Sequence, residues 1–298
     1  MNMSRTIDYW GIVVRSAKIA WENKLLWVFG FFAASGGTGG GNYGSFGEHG
    51  AREIRDFFMA HMEILVLIII GIVLLWLVFL VLNVIAKGGL VSCIARVDRG
   101  ERIRFEDGWN AGLNRFWGVL GIGLMGMLAF LIVGTVCAVA VFLPMAGGAP
   151  GIAVGIFIAA ILLIPFLAFL FLLAFTIIYA EREYIVAGGT VTDALDTAWG
   201  MTRSYFVQTF VMWLVSFGST IAFVVAIILC LLVMAVPFIL IGLASPIAGM
   251  VLGIPIGIVF LILAGSAYST YDYSLWTLLY LELRGEVSLA ATENASDG

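Results

Sequence analysis

Charged side chains along this chain are confined to a few short segments, and long apolar runs separate them. Residues 64–86, 116–180 and 204–271 contain no Asp, Glu, Lys, Arg or His, giving runs of 23, 65 and 68 residues. A helix crossing bilayer hydrocarbon needs about 20 apolar residues. The first run therefore holds one span, and each of the other two holds a pair. Hydropathy places six crossings at 19–35, 63–86, 116–143, 152–179, 205–235 and 249–281. The first begins with Glu22 and Lys24 and has a clean apolar stretch only from Leu25 to Ala34. It either enters from an amphipathic lead-in or is re-entrant.

Lys and Arg accumulate in cytoplasmic loops, so their distribution tests this division. Six spans put Arg5, Arg15, Lys18, Lys24, the 87–115 loop (Lys87, Arg96, Arg99, Arg102, Arg104, Arg115), the 180–204 loop (Arg182, Arg203) and Arg284 on one side. Only Arg52 and Arg55 fall on the other. The division uses all 15 basic residues, and one span more or fewer would scramble it. The expected topology is six spans with both termini in the cytoplasm, in the inner or plasma membrane. A reporter fused near Gly40 should read extracytoplasmic.

Each odd-numbered span follows an amphipathic stretch. In the first, Ile7, Trp10, Val14, Ala17 and Trp21 share a face, with Asp8, Arg15, Lys18 and Glu22 opposite. In the second the face is Phe105, Trp109, Leu113, Phe116 and Trp117. In the third it is Val191, Ala194, Leu195, Ala198 and Trp199, with Thr190 and Asp193 spaced like a capping box. Glycine-led phrases at Gly100, Gly189 and Gly285 mark the joins. The pattern predicts an all-α integral membrane protein of three tandem hairpins, about 4–87, 103–183 and 190–284, within a single polytopic domain over 1–290. Each hairpin is led by a cytoplasmic-side interfacial helix. Trp10, Trp21, Trp109, Trp117 and Trp199 are the expected anchors in the headgroup layer, although the lead-ins also read as tilted extensions of the spans. Residues 36–50 form a Gly-rich outer loop, and 287–298 read as a disordered tail.

Composition narrows the function classes. The chain is 62% hydrophobic and 11% charged, against roughly half and a quarter in soluble domains. Its net charge is −4, so nothing suggests nucleic acid. Cys93, Cys137 and Cys230 match no metal or redox spacing, and the latter two read as buried structural thiols. Asp8, Arg15 and Lys18 interrupt the start, so no cleaved signal peptide is expected there.

Ionisable residues at membrane depth usually mark function, and these spans are nearly bare. Asp272, within Tyr268–Trp276, and Asn83 and Gln208 are polar residues placed at or near a span. Asp272 and Asn83 each read as a functional group or as an ordinary interfacial one. His49 and His61 lie among acidic residues without ligand spacing, so no metal is expected. The stretch 35–50 lacks the Lys of a phosphate loop, and no cofactor is expected. Gly151 and Gly155, and Gly249, Gly253 and Gly257, repeat at four-residue spacing. Such rows let helices approach closely in lipid, either within one bundle or between subunits.

Three phrases, ENKLLWVFGFFAA (22–34), RGERIRFEDGWNAGLNRFWGVLG (99–121) and AEREYIVAGGTVTDALDTAWGMTRSYFVQTF (180–210), resemble prokaryotic multi-pass proteins likened to the membrane domain of glycerophosphodiester phosphodiesterase. The resemblance implies a helical membrane domain without the catalytic domain, and it supplies no active-site residues. The chain is thus expected to be a non-catalytic multi-pass protein. Its expected role is to anchor, scaffold or regulate a partner protein or membrane lipid, with a homo-oligomer as another form of partnership. The alternative is a subunit of a small-molecule or lipid transporter.

Overall fold

The computed structural model describes residues 7–34 and 62–296, with side chains considered no further than residue 285. Among these residues the chain forms eight helices and no strand: α1 (Tyr9–Glu22), α2 (Leu26–Ala34), α3 (Met62–Asp98), α4 (Phe105–Met145), α5 (Ala149–Val186), α6 (Val191–Ser204), α7 (Phe206–Ala244) and α8 (Pro246–Ser296). Helices α3, α4, α5, α7 and α8 are each long and apolar enough to cross a membrane. The described part of the first expected span is different. It is the nine-residue α2, about 14 Å long at 1.5 Å per residue, against a hydrocarbon layer of about 30 Å.

Local chemistry sets the breaks. The Asp8 carboxylate accepts from the Gly11 N–H (2.9 Å) and starts α1. Asn23 ends it, with Nδ2 donating to the Ile19 carbonyl at 3.1 Å. Asp107 Oδ2 accepts from the Arg104 N–H (2.8 Å) at the start of α4. Between α5 and α6, Gly188 and Gly189 take φ of 81° and 93°, a region that residues with a Cβ avoid. Thr190 then caps α6 by accepting from the Asp193 N–H at 3.2 Å.

Two expected loops are largely helix. The 87–115 segment is the end of α3, a six-residue connection and the start of α4; the 180–204 segment is the last turns of α5 followed by α6. The second lead-in is not a separate interfacial helix. Nothing between Phe105 and Trp117 breaks the helix, so it runs straight into α4, whereas α1 and α6 are separate 14-residue helices. Helix α8 continues through Ser296, where the sequence reads as a tail. Extending an established helix costs little compared with nucleating one.

The long helices, 37 to 41 residues for α3, α4, α5 and α7, are nearly twice what a bilayer requires. Their two ends differ. Ile64–Val81, Leu124–Leu143, Ile152–Leu167 and Ile247–Leu263 present exposed apolar side chains, bands of about 24–30 Å. Buried residues cluster at the other end, within 12–33, 84–95, 119–122, 175–185, 194–202, 209–216 and 266–283. There α1, α2 and α6 pack among the long-helix ends into one core that includes Phe29, Leu90, Ile94, Tyr179 and Leu279. We call this packed region the hub. Cys93 is buried in it, while Cys230 is exposed and Cys137 half-buried. The buried-thiol reading of Cys230 is therefore corrected: an apolar stretch facing lipid need not be buried in protein.

Candidate functional site

The hub is built around a polar seam on α8. Ser266, Thr270, Ser274 and Thr277 each donate to the carbonyl four residues earlier, at 2.7–2.9 Å. These hydroxyls are satisfied within their own helix and can be buried without a penalty for unmade bonds. Small side chains along this row admit α2. A Cβ built on Gly30 would lie 2.4 Å from the Ser266 carbonyl oxygen. Thr270 Oγ1 also donates to the Leu26 carbonyl at 3.2 Å.

Charged groups collect where α5, α7 and α8 meet. Arg182 is 3% exposed. Its Nη1 donates to the Ile178 carbonyl at 2.8 Å, and its guanidinium lies 5.7 Å from the Tyr273 ring centroid. Among the described residues its Nε has no hydrogen-bond partner. The Glu181 and Asp272 carboxylates lie within its electrostatic reach. Asp272 Oδ1 accepts from Ser216 Oγ at 2.7 Å. Glu181 faces Lys87 Nζ at 3.9 Å. Glu183 accepts from the Tyr280 hydroxyl at 2.6 Å and pairs with Arg284 at 3.4 Å. Tyr179 and Thr209 share a 2.7 Å hydrogen bond.

A second set of charges closes the outer rim. Arg15 of α1 bridges Asp98 of α3 and Glu282 of α8, and the hydrogen bond to Asp98 raises its guanidinium pKa further. Arg96 pairs with Glu101 at 2.7 Å and Asp107 at 3.4 Å, and Arg99 joins at 3.2 Å. The hydrogen bond from Arg96 lowers the Glu101 carboxyl below its usual range.

The sequence-derived candidates fall in different places. Asp272 joins the charged cluster. Asn83 lies across the hub on α3, where Nδ2 donates to the Phe32 and Ala33 carbonyls at 2.7 and 2.9 Å. It thus ties α3 to the last described turn of α2. Asn83→Leu is expected to cost about 1–3 kcal/mol by removing both hydrogen bonds between α3 and α2, read as a lower melting temperature in detergent. Trp10, Trp21, Trp117 and Trp199 are exposed, and Trp109 is half-buried. Helix α1 has two working faces: Ile12, Ser16 and Ile19 are buried in the hub, while Trp10, Val14 and Trp21 face outward.

The glycine rows lie within hairpins. Gly151 and Gly155 meet Pro144, Val141 and Met145 of α4; Gly249 and Gly253 meet Phe238 and Gly242 of α7. Gly257 faces open space within 4 Å. Gly249→Leu should therefore weaken the α7–α8 hairpin, while Gly257→Ala should leave the melting temperature unchanged. The reverse order would assign this row to contact between subunits. Around it, α7 and α8 enclose an apolar cleft of about 660 Å³ lined by Phe238, Gly242, Gly253 and Gly257. His49, His61 and the Gly-rich 36–50 segment lie outside the described residues.

Arg182, Glu181 and Glu183 were read from sequence only as loop charges. The available signal was helical: Tyr179, Arg182 and Glu183 share a face with the preceding apolar residues at three- and four-residue spacing. A close crossing of α3 and α4 was also missed. A Cβ on Gly112 of α4 would lie 2.2 Å from the Ile85 carbonyl oxygen of α3, and one on Gly89 2.5 Å from that of Gly108. Phe29 of α2 packs against both Gly89 and Gly108.

No curated protein and no solved structure matches the chain, and nothing links it to the glycerophosphodiester phosphodiesterase membrane domain. A model of the family of unknown function DUF7544 matches residues 21–280. That match covers most of the sequence, including α2, the long helices and the polar seam of the hub, and the chain belongs to this family.

Proposed function

We propose that the protein is a non-catalytic membrane module that anchors, scaffolds or regulates a partner protein or local lipid. In this reading it crosses the inner or plasma membrane six times as three tandem hairpins, with the hub and both termini in the cytoplasm. The carrying observation is the division of labour along the long helices. Their apolar halves bury almost nothing within the chain, while packing, ion pairs and hydrogen bonds concentrate in the hub. An organised surface at one membrane face suits docking better than passage through the bilayer. The distribution of Lys and Arg favours an even number of crossings.

Native purification with identification of co-purifying proteins tests the role, and a specific stoichiometric partner is expected. Recovery of a lone chain would count against scaffolding. Impermeant thiol labelling of Glu63→Cys and Arg203→Cys in a cysteine-free background tests the topology. Reaction from opposite faces is expected, with Arg203→Cys labelled from the cytoplasm; reaction from the same face would overturn it.

One observation favours the transporter alternative. A run of hydroxyls and a carboxylate, Ser216, Thr220, Tyr268 and Asp272, continues along the α7–α8 contact. Solute-dependent protection of Asp272→Cys from labelling would support that reading.

A further inference from the structure

We infer that the hub rests on the bilayer through a tryptophan collar selective for anionic phospholipid headgroups, with Lys24 and Arg203 as the phosphate-facing cations. This rests on the anchoring role proposed above and names the lipid class. Four tryptophans on three elements point away from the hub: Trp10 and Trp21 on α1, Trp117 on α4 and Trp199 on α6, at 75%, 70%, 79% and 43% exposure. These elements pack against different neighbours, α1 on α8, α4 on α3 and α5, and α6 on α5. A surrounding medium covers all of them at once, whereas a single docked protein covers one side.

Their level is that of the headgroups. Trp117 lies five residues from buried Ile122, about 8 Å along α4 and just short of its exposed apolar band. Thr202, one turn from Trp199, lies 3.4 Å from Thr176 at the first hub turn of α5. The start of α2, next to Trp21, is held at Thr270 in the corresponding part of α8. Tryptophan is enriched at this depth because its ring is apolar and its N–H polar.

Charge supplies the selectivity. Most hub cations face carboxylates: Arg15, Lys18, Lys87, Arg96, Arg99 and Arg284 all lie within 4.0 Å of one. Lys24 and Arg203 are exposed and, among the described residues, have no such carboxylate within salt-bridge distance. Lys24 follows Trp21 by three residues, and the Arg203 guanidinium lies 5.7 Å from the Trp199 ring. Each basic group thus stands beside a collar tryptophan, Arg203 in space and Lys24 in sequence, leaving its positive charge for a lipid phosphate.

Native mass spectrometry of the full chain, extracted from vesicles of equal phosphatidylglycerol and phosphatidylcholine, tests this. Wild-type protein should retain phosphatidylglycerol preferentially, by roughly five-fold for each of the two cations. The double variant Lys24→Gln, Arg203→Gln should lose that preference at an unchanged melting temperature. Arg102→Gln with Arg104→Gln, in the connection before α4, should keep it. Equal retention of both lipids by wild type, or loss in the 102/104 variant as large as in the collar variant, would overturn the inference. The lipid ratio is read without any partner protein, so failure of the scaffolding reading remains a separate result.

Discussion

Arg182→Met is expected to cost about 3–5 kcal/mol, the range for removing one member of a buried charge set. At 3% exposure, the guanidinium lies within electrostatic reach of both Glu181 and Asp272. Without it the buried Asp272 carboxylate loses its cationic neighbour and keeps the hydrogen bond from Ser216, while Glu181 keeps Lys87. Methionine has similar reach and leaves little cavity, so the loss reports charge rather than volume. Combining Arg182→Met with Asp272→Asn should recover part of the lost stability, because the carboxylate no longer needs compensation. Melting temperatures in detergent for both single variants and the double variant form the test cycle. Additive losses would show that the two groups act independently. Recovery would assign Asp272 a structural duty and remove the main intramembrane candidate for ion or proton coupling.

Gly112→Leu should be the most damaging change at a site with no charge. Its Cβ would enter within 2.2 Å of the Ile85 carbonyl oxygen and 2.9 Å of the Ile85 Cγ2. Backbone cannot yield as a flexible side-chain tip does, so α3 and α4 must separate. Overpacking of a tight core typically costs about 1–3 kcal/mol. Here the separation also pulls on Phe29, which bears on the neighbouring glycines of both helices. The expected result is a lower melting temperature and earlier proteolysis at the α3–α4 connection. Gly121→Leu, on the same helix with nothing within 4 Å of its Cβ, should match wild type. Equal damage at both positions would point to helix propensity or lipid contact instead of the crossing.

Both predictions concern residues whose importance was poorly legible along the chain. Arg182 reads as a loop charge because Glu181 and Glu183 flank it, and three consecutive ionisable residues usually end a span. In the fold the helix simply continues, and each charge finds a partner on another helix. Gly112 has a four-residue companion in Gly108, but the pair lies in a stretch that reads as a charged loop, and its complement, Gly88 and Gly89, lies on a different helix. Asn83 was visible as an unusual polar residue. Its job was not, because the carbonyls it satisfies belong to α2, some fifty residues earlier.

The sequence alone determined what depends on composition and local periodicity. It established a helical protein belonging in lipid, the five long apolar helices, the glycine-led joins at Gly100 and Gly189, the capped start of α6 and the outward aromatic face of α1. Those features follow from transfer free energy and from hydrogen bonds within a few residues. Only the tertiary structure decided where the protein is packed. It showed that the helices overrun the apolar band, that α2 docks on the hydroxyl row of α8, and that α4 absorbs its lead-in. It also drew the charges of α3, α5 and α8 into one set around buried Arg182. An apolar position reads alike whether lipid or another helix covers it, and that ambiguity is resolved only when distant segments meet.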